Sequence, residues 1–264
     1  MTTIDAGADL DFAHELADLA RSLARRWYRA ELDVEHKADD SPVTVADREI
    51  EAALRARIGK RHPGDGILGE EHGREGLDRE RVWVVDPIDG TKSFITGSPL
   101  FGTLVALTRD GRPEVGIIEV PVLEERFAGD GRTATLNGAP LRTRACTSLA
   151  DAVVCTAPPE AFPGDFAAVS AALSSVGTLR RWGGDCYMYA QLALGCVDLV
   201  VEAILQPYDF AALVPVVEGA GGVITDWSGA PLTTSSAGDV VAAATPELHR
   251  DALRTISDIR RRSS

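Results

Sequence analysis

The 264-residue sequence has no stretch that approaches the roughly 18 consecutive apolar residues that a transmembrane helix requires. Its first residues also lack the basic and apolar regions of a signal peptide. The chain has only four cysteines, and no two of them form a C-x-x-C pair: Cys146, Cys155, Cys186 and Cys196. Four cysteines are too few for a disulfide framework in a chain of this length. We therefore expect a cytoplasmic protein whose cysteines are reduced thiols, most of them buried.

Positive charge is also scarce. The chain has 27 lysines and arginines against 40 aspartates and glutamates, which gives a net charge of −13. Sequence-independent binding of nucleic acid needs a basic surface, so we expect no nucleic-acid partner, and we expect no membrane partner either. An acidic protein repels phosphorylated metabolites, so a site for such a metabolite would need cations that its carboxylates recruit.

The composition nevertheless supports a folded, enzyme-sized body. Hydrophobic residues make up 45% and charged residues 25% of the chain, close to the average of globular proteins. Apolar residues at three- and four-residue intervals predict a long first helix, whose buried face is Phe12, Leu16, Leu19, Leu23 and Trp27. The capping-box pattern Thr44–Asp47 predicts the start of a second helix. Its buried stripe is Ile50, Leu54 and Ile58.

The rest of the chain changes from hairpin to alternating patterns. Two β-rich runs over 103–108 and 115–120 are joined by an Asp-Gly turn, which predicts a β-hairpin. Beyond residue 137, strands are predicted at 153–156, 197–203, 223–225 and 240–244, and helices at 166–173, 187–194 and after Asp209. This pattern is typical of a layered α/β protein with an α+β lobe over 1–137 and an α/β lobe over 138–264. The basic ending Ile259–Arg262 predicts a frayed, solvated tail.

The motif Asp86-Pro-Ile-Asp89-Gly90-Thr91 carries the strongest chemical signal. The apolar run Val82–Val85 predicts a buried strand that ends at Asp86, and Gly90 permits a tight turn beside Asp89. Two carboxylates held close together repel each other unless a proton or a cation lies between them, and Mg²⁺ is the cation that such oxygen ligands favour. The amides of Gly90 and Thr91 offer a place for phosphate.

These acidic residues also have ordinary explanations. The motif is compatible with a plain Asp-rich turn, and its D-x-x-D spacing disfavours phosphatases that form an aspartyl-phosphate, which typically carry D-x-D. Glu70 and Glu71 form an adjacent pair that a solvated turn would explain. Asp47 fits the third position of a capping box, and Asp209 fits a helix N-cap. None of these residues identifies a site alone.

Together the segments resemble the inositol monophosphatase-like family of lithium-sensitive, Mg²⁺-dependent phosphatases. The matching motifs follow in the same order across nearly the whole chain: Gly69-Glu70-Glu71, Asp86–Thr91, Tyr208-Asp209 and Gly219-Ala-Gly-Gly222. The resemblance implies the layered αβαβα sandwich of the inositol monophosphatase and fructose-1,6-bisphosphatase type. The family usually has a tryptophan where this chain has Tyr208, and it commonly forms homodimers.

The resemblance also implies roles for individual residues. The implied ligands of two or three Mg²⁺ ions are Glu70, Asp86, the Ile88 carbonyl, Asp89 and Asp209. Asp86 would bridge two of the ions, and Glu70 would also serve a third, weaker ion and so belong to the catalytic set. Asp47 and Thr91, hydrogen-bonded to each other, would polarise the attacking water. The amides of Gly90 and Thr91 would cradle the phosphate.

Three further segments are similar to the histidinol-phosphate phosphatase branch, which acts in histidine biosynthesis: Ser93–Thr103, Trp182–Tyr187 and Leu205–Phe210. This similarity implies L-histidinol phosphate as the substrate. Inositol phosphatases typically have a small neutral residue where this chain has Asp185, and an extra buried carboxylate there needs a cationic ligand. Glu202 matches the substrate-hydroxyl acceptor of the family, and Asp209 would also contact the substrate. A helix N-cap is the alternative explanation for Asp185.

Other functions remain open. An inositol monophosphatase or a 3′-phosphoadenosine 5′-phosphate nucleotidase would keep every metal ligand and differ only in the pocket. A regulatory interaction protein or a plain metal-binding scaffold would keep the motifs without turnover. The charge of −13 and the intact ligand set disfavour the regulatory protein.

Overall fold

The computed structural model describes residues 6–31, 34–36, 42–158 and 165–263. The helices of these ranges are α1 (Ala6–Trp27), α2 (Val45–Arg61), α3 (Thr91–Ile95), α4 (Phe166–Val176), α5 (Cys186–Ala193), α6 (Pro207–Phe210), α7 (Leu213–Gly219) and α8 (Pro246–Ser263). The first ten strands are β1 (Val34–His36), β2 (Pro42–Thr44), β3 (Gly66–Gly69), β4 (Arg74–Glu75), β5 (Arg81–Asp89), β6 (Gly102–Arg109), β7 (Arg112–Val120), β8 (Glu125–Gly129), β9 (Ala134–Leu136) and β10 (Ala139–Pro140). The strands that follow are β11 (Val153–Thr156), β12 (Leu179–Trp182), β13 (Leu199–Glu202), β14 (Val223–Thr225) and β15 (Val240–Ala243).

These elements stack in five layers. The large sheet has the strand order β10-β9-β8-β7-β6-β5-β3-β4 and is antiparallel except for the pair β3 and β5. The small sheet has the order β12-β11-β13-β15-β14. Helices α1 and α2 contact the outer face of the large sheet, α5 and α7 contact both sheets, and α4 and α8 contact the small sheet. This order confirms the predicted αβαβα sandwich.

The first two helices form as their sequence predicts. The backbone N–H of Thr44 donates to Asp47 Oδ2 at 2.8 Å, and the N–H of Ala46 donates to Thr44 Oγ1 at 3.2 Å, so the capping box is present. The predicted stripe of α2 is fully buried. Of the predicted face of α1, Phe12 and Leu16 are buried, whereas the later predicted positions are half-buried against the same core.

The structure differs from the predicted secondary structure at several places. The basic ending Arg260–Arg262 is not a frayed tail but the last turn of α8, which buries Leu248, Ala252 and Ile256 at four-residue intervals while the arginines stay exposed. Strands β8, β9 and β12 were not predicted, and every residue of β12 is exposed, so no apolar pattern marked it. The cysteines are free thiols and three of the four are buried, as expected.

The boundary at residue 137 stays a prediction. The helical layer between the sheets shares one hydrophobic cluster with both of them, because Ile118 of the large sheet, Leu213 of α7 and Val200 of the small sheet belong to the same core. None of the helices in the described ranges combines the length and the apolar character that a bilayer-spanning segment needs.

Two glycines set the distance between the large sheet and the helical layer. Gly116 on β7 and Gly129 on β8 are cross-strand partners. A Cβ atom on Gly116 would overlap the carbonyl oxygen of Ala212, and one on Gly129 would overlap that of Pro215. The backbone of the segment that contains α7 therefore lies directly on the sheet, with no side chain between them.

We expect Gly116→Ala to lower the free energy of unfolding by about 1–3 kcal/mol, because an added methyl group meets backbone that has little freedom to move. Gly59→Ala is the matched control: Gly59 is an exposed residue of α2 with nothing within 4 Å of the added methyl. The control should stabilise the protein by about 0.5–1 kcal/mol. Urea denaturation measures both values, and equal effects of the two substitutions would contradict the close approach.

Candidate active site

The irregular end of β5, which runs past the predicted end at Asp86 to Asp89, presents two aspartates to one cavity. The N–H of Ile88 donates to Asp86 Oδ1 at 3.0 Å, and the pairing of β5 with β6 shifts register between Asp86 and Asp89. The Thr103 hydroxyl fixes the bend by donating to the Pro87 carbonyl at 2.7 Å. Gly90 then adopts a φ of +86°, and α3 begins at the next residue.

Asp209 reaches the same place from the helical layer. It is the third residue of the short helix α6, and its Oδ2 accepts the N–H of Gln206 at 2.6 Å in a capping box. It is therefore not a plain N-cap, which was the alternative explanation. Asp86, Asp89 and Asp209 each offer one oxygen, and these oxygens lie within 4.8 Å of one another. The preceding Tyr208 packs against the core, as expected for the residue that replaces tryptophan.

A cavity of about 340 Å³ contains this cluster. Every predicted site residue except Asp47 lines it: Glu70, Asp86, Ile88, Asp89, Gly90, Thr91, Asp185, Glu202 and Asp209. Glu71 is outside this set, so only one residue of the glutamate pair faces the cavity. Among the described residues that line it, Lys92 carries the sole positive charge. The cavity is therefore strongly anionic.

The electrostatics fit a divalent cation. Burial, followed by the charges of Glu70, Asp89 and Asp209, raises the pKa of Asp86 well above its usual range. Burial, followed by the charges of Asp185 and Asp209, does the same to the pKa of Asp89, although its Oδ2 accepts the N–H of Cys186 at 2.5 Å. Carboxylate and carbonyl oxygens are the donors that a hard cation such as Mg²⁺ prefers. A cation among them would offset the repulsion.

Asp47 and Thr91 are not hydrogen-bonded to each other, which corrects one expectation. The Thr91 hydroxyl donates to the Ile88 carbonyl at 3.1 Å. Asp47 Oδ2 accepts the Thr44 hydroxyl at 2.6 Å as well as its N–H, while Asp47 Oδ1 is buried with no hydrogen-bond partner. Burial is the main cause that raises the pKa of Asp47, and the charge of Glu70 adds to it. Local partners within each turn therefore engage the Thr91 hydroxyl and Asp47 Oδ2, and only Asp47 Oδ1 is left without one.

Asp185 has an unusual backbone. Its φ of 47° and ψ of −135° lie in a region that glycine adopts readily and other residues avoid. Although it occupies the N-cap position of α5, its side chain makes no capping hydrogen bond, so the N-cap explanation is wrong. Its Oδ2 instead accepts the Ser93 hydroxyl at 3.3 Å and would lie 2.6 Å from a Cβ atom on Gly90. Burial raises the pKa of Asp185.

Glu202 ends β13 and forms another part of the cavity wall. It is 7% exposed, and the Tyr189 hydroxyl donates to its Oε2 at 2.9 Å. Burial raises the pKa of Glu202 to about 8, against the opposing effect of this hydrogen bond. Tyr189 also lines the cavity and was not predicted from the sequence. The i,i+4 spacing from Asp185 gives no signal, because Asp185 precedes α5 and its backbone is not helical.

Comparisons with known proteins agree with this geometry. Residues 8–261 match the model of the inositol monophosphatase family. The chain is 43% identical to the bifunctional phosphatase IMPL2 of Arabidopsis thaliana over 91% of this chain and 72% of that protein. It is 39% identical to a histidinol-phosphatase of Chlorobaculum parvum over 84% of this chain and 86% of that one.

Solved structures agree as well. The fold matches an inositol monophosphatase from Zymomonas mobilis with a TM-score of 0.88 and 44% identity, over 96% of this chain and 99% of that chain. The predicted motifs, the five-layer fold and the carboxylate cluster thus point to one group of proteins. The chain belongs to the inositol monophosphatase family, whose members are metal-dependent phosphatases of small phosphorylated substrates.

Proposed function

We propose that the chain is a Mg²⁺-dependent phosphomonoester hydrolase that converts L-histidinol phosphate and water into L-histidinol and phosphate in histidine biosynthesis. The observation that carries the choice of substrate is the backbone of Asp185. A non-glycine residue in this φ,ψ region costs on the order of 1–3 kcal/mol and persists where the surroundings or the function retain it. The carboxylate that results stands against Gly90 in the cavity.

The charge of the pocket supports a cationic substrate. The half-buried Asp185 and the buried Glu202 add two acidic groups beyond the implied metal ligands. A ligand that offers only hydroxyl groups would leave this negative charge uncompensated, at a cost of several kcal/mol. Histidinol brings an ammonium group and a titratable imidazole, which meet both acidic groups with positive charge.

The metal site follows from the donor set. Glu70, Asp86, the Ile88 carbonyl, Asp89 and Asp209 would hold two or three Mg²⁺ ions. When bound, the metal would lower the pKa of the attacking water and stabilise the departing alkoxide.

The chain's own residues would position the reactants. The Thr91 hydroxyl gives its single proton to the Ile88 carbonyl, so its oxygen is left to accept a hydrogen bond from the attacking water. Asp47 is buried outside the cavity wall, and its Oδ1 has no partner and its pKa is raised, so it would take up the proton of that water through an intervening hydrogen-bonding group. The N–H groups of Gly90 and Thr91 would hold the phosphate oxygens for in-line attack. No covalent phosphoenzyme is needed.

An inositol monophosphatase is the second candidate. The relative from Zymomonas mobilis is named as one and is 44% identical, and Glu202 also offers an acceptor for an inositol hydroxyl. A 3′-phosphoadenosine 5′-phosphate nucleotidase is less favoured, because Lys92 is the sole cationic side chain among the described lining residues. Homodimerisation and a cytoplasmic location remain part of the proposal.

We expect the protein to prefer L-histidinol phosphate over other phosphate esters. With Mg²⁺, kcat/KM for L-histidinol phosphate should exceed that for myo-inositol 1-phosphate and for 3′-phosphoadenosine 5′-phosphate by about 100-fold. Asp185→Asn should lower it by roughly 10-fold or more, since the variant loses the charge that meets the ammonium group. Phosphate release with and without chelator measures each value.

Asp110→Asn is the matched control for Asp185→Asn. Asp110 is an exposed residue of the hairpin turn and has a φ of 48°. It follows the far end of β6 from the cavity, because Gly102 at the other end of that strand is the residue that pairs with Asp89. It should leave kcat/KM unchanged. Preference for inositol phosphate would refute L-histidinol phosphate as the substrate but would leave the proposed metal-dependent hydrolysis in place. Failure to hydrolyse any of the esters would favour a binding protein.

A second prediction separates the charge of Asp185 from its strained backbone. Asp185→Gly and Asp185→Ala both remove the carboxylate, so both should lose the preference for histidinol phosphate. Only glycine relieves the backbone, and the glycine variant should therefore be more stable than the alanine variant by about 1 kcal/mol in urea denaturation. Equal stabilities would show that the backbone of Asp185 is unstrained.

A third prediction concerns the carboxylate cluster. In chelator, Asp86→Asn should raise the free energy of unfolding by roughly 1–3 kcal/mol, because a neutral amide replaces a buried charge that Glu70, Asp89 and Asp209 repel. Mg²⁺ should raise the Tm of the wild-type protein and leave that of Asp86→Asn nearly unchanged, since ligand binding stabilises only a protein that binds it. An unchanged Mg²⁺ response in the variant would remove Asp86 from the metal site.

A further inference from the structure

Two tyrosines of α5 make the same kind of hydrogen bond in different surroundings. Tyr187 donates to Glu125 Oε2 at 2.9 Å, and Tyr189 donates to Glu202 Oε2 at 2.9 Å. Tyr187 is half-buried, packs edge-on against Phe127 and does not line the cavity. Tyr189 is 1% exposed and does line it. The two hydrogen bonds therefore differ mainly in their acceptors: Glu202 lines the cavity, whereas Glu125 does not.

The bond of Tyr189 links two elements across the cavity wall. Tyr189 lies on the helix between the sheets, whereas Glu202 is the last residue of β13 in the small sheet. A glutamate side chain has three rotatable bonds, so burial alone does not determine which way its carboxylate turns. The ring of Tyr189 is enclosed and its hydroxyl has one proton to give. That proton binds Oε2 and leaves Oε1 as the oxygen available to a ligand.

We propose that Tyr189 is a positioning residue for substrate recognition: its hydroxyl fixes the Glu202 carboxylate so that Oε1 meets the donor groups on the non-phosphate part of the substrate. The inference rests on the proposed function, in which Glu202 contacts that part. It assigns no contact with phosphate or metal to Tyr189. Its effect is therefore confined to the alcohol half of the ester.

The test measures the two products separately as inhibitors. In Tyr189→Phe, the KM for L-histidinol phosphate should rise by about 10-fold with little change in kcat, because the carboxylate loses a charge-assisted hydrogen bond that orients it. The inhibition constant of L-histidinol should rise by the same factor. The inhibition constant of inorganic phosphate and the Mg²⁺ concentration for half-maximal activity should stay as in the wild type.

Tyr187→Phe is the matched control, because it removes an equal hydrogen bond from the same helix without touching the cavity. It should leave both inhibition constants unchanged. A double-mutant cycle with Glu202→Gln then shows whether Tyr189 acts through Glu202. Tyr189→Phe should add no more than about 2-fold to the KM of Glu202→Gln. Additive effects, or identical behaviour of the two phenylalanine variants, would overturn the proposal.

The result is separable from the choice of substrate. If another ester is preferred, the proposed substrate is wrong. The alcohol product of that ester then replaces L-histidinol as the inhibitor, and the same comparison still tests the positioning role of Tyr189. If Tyr189→Phe does not fold, Glu202→Asp carries the test, because the shorter side chain withdraws the carboxylate from the Tyr189 hydroxyl. An inhibition constant for the alcohol that this variant leaves unchanged would overturn the proposal.

Discussion

The site depends on the direct contact between the helical layer and the large sheet. Gly116 and Gly129 have no side chains, so the segment around α7 reaches the backbone of β7 and β8. Asp209 lies just before this segment and is thereby carried to the aspartates at the end of β5. A larger residue at either glycine would separate groups that are more than a hundred residues apart in sequence but adjacent in the cavity. The carboxylate cluster is thus built by backbone packing as much as by the aspartates themselves.

A capping box holds two of the acidic residues in the same way. Asp47 and Asp209 both occupy the third position of a helix and accept the N–H of the preceding N-cap residue. This bond uses one carboxylate oxygen for folding, and in Asp47 it leaves a buried second oxygen without a partner. The capping box therefore accounts for the local geometry of these residues without excluding chemistry. The two explanations that the sequence left open for Asp47 are compatible.

Much of this arrangement could be predicted from sequence because it is local. The two N-terminal helices, the hairpin and the motif around Asp86 follow from periodicity and turn chemistry within a few residues. The exposed edge strand β12 and the path of α8 depend on packing across the molecule, which no local pattern records. The same holds for Tyr189, whose proposed role depends on Glu202 in another element. The assignment of metal ligands came from resemblance, whereas their convergence is a property of the fold.

The backbone of Asp185 has a consequence for how this protein evolves. Aspartate and glycine codons differ by one base, and glycine is the residue that this φ,ψ region suits best. Mutation therefore offers a frequent, direct route to a relaxed backbone, and selection on folding alone would favour it. In the proposed function, the carboxylate is retained at this position because the cationic substrate needs it. Within such a family, the residue at position 185 would depend on which substrate the enzyme must bind rather than on the stability of the fold.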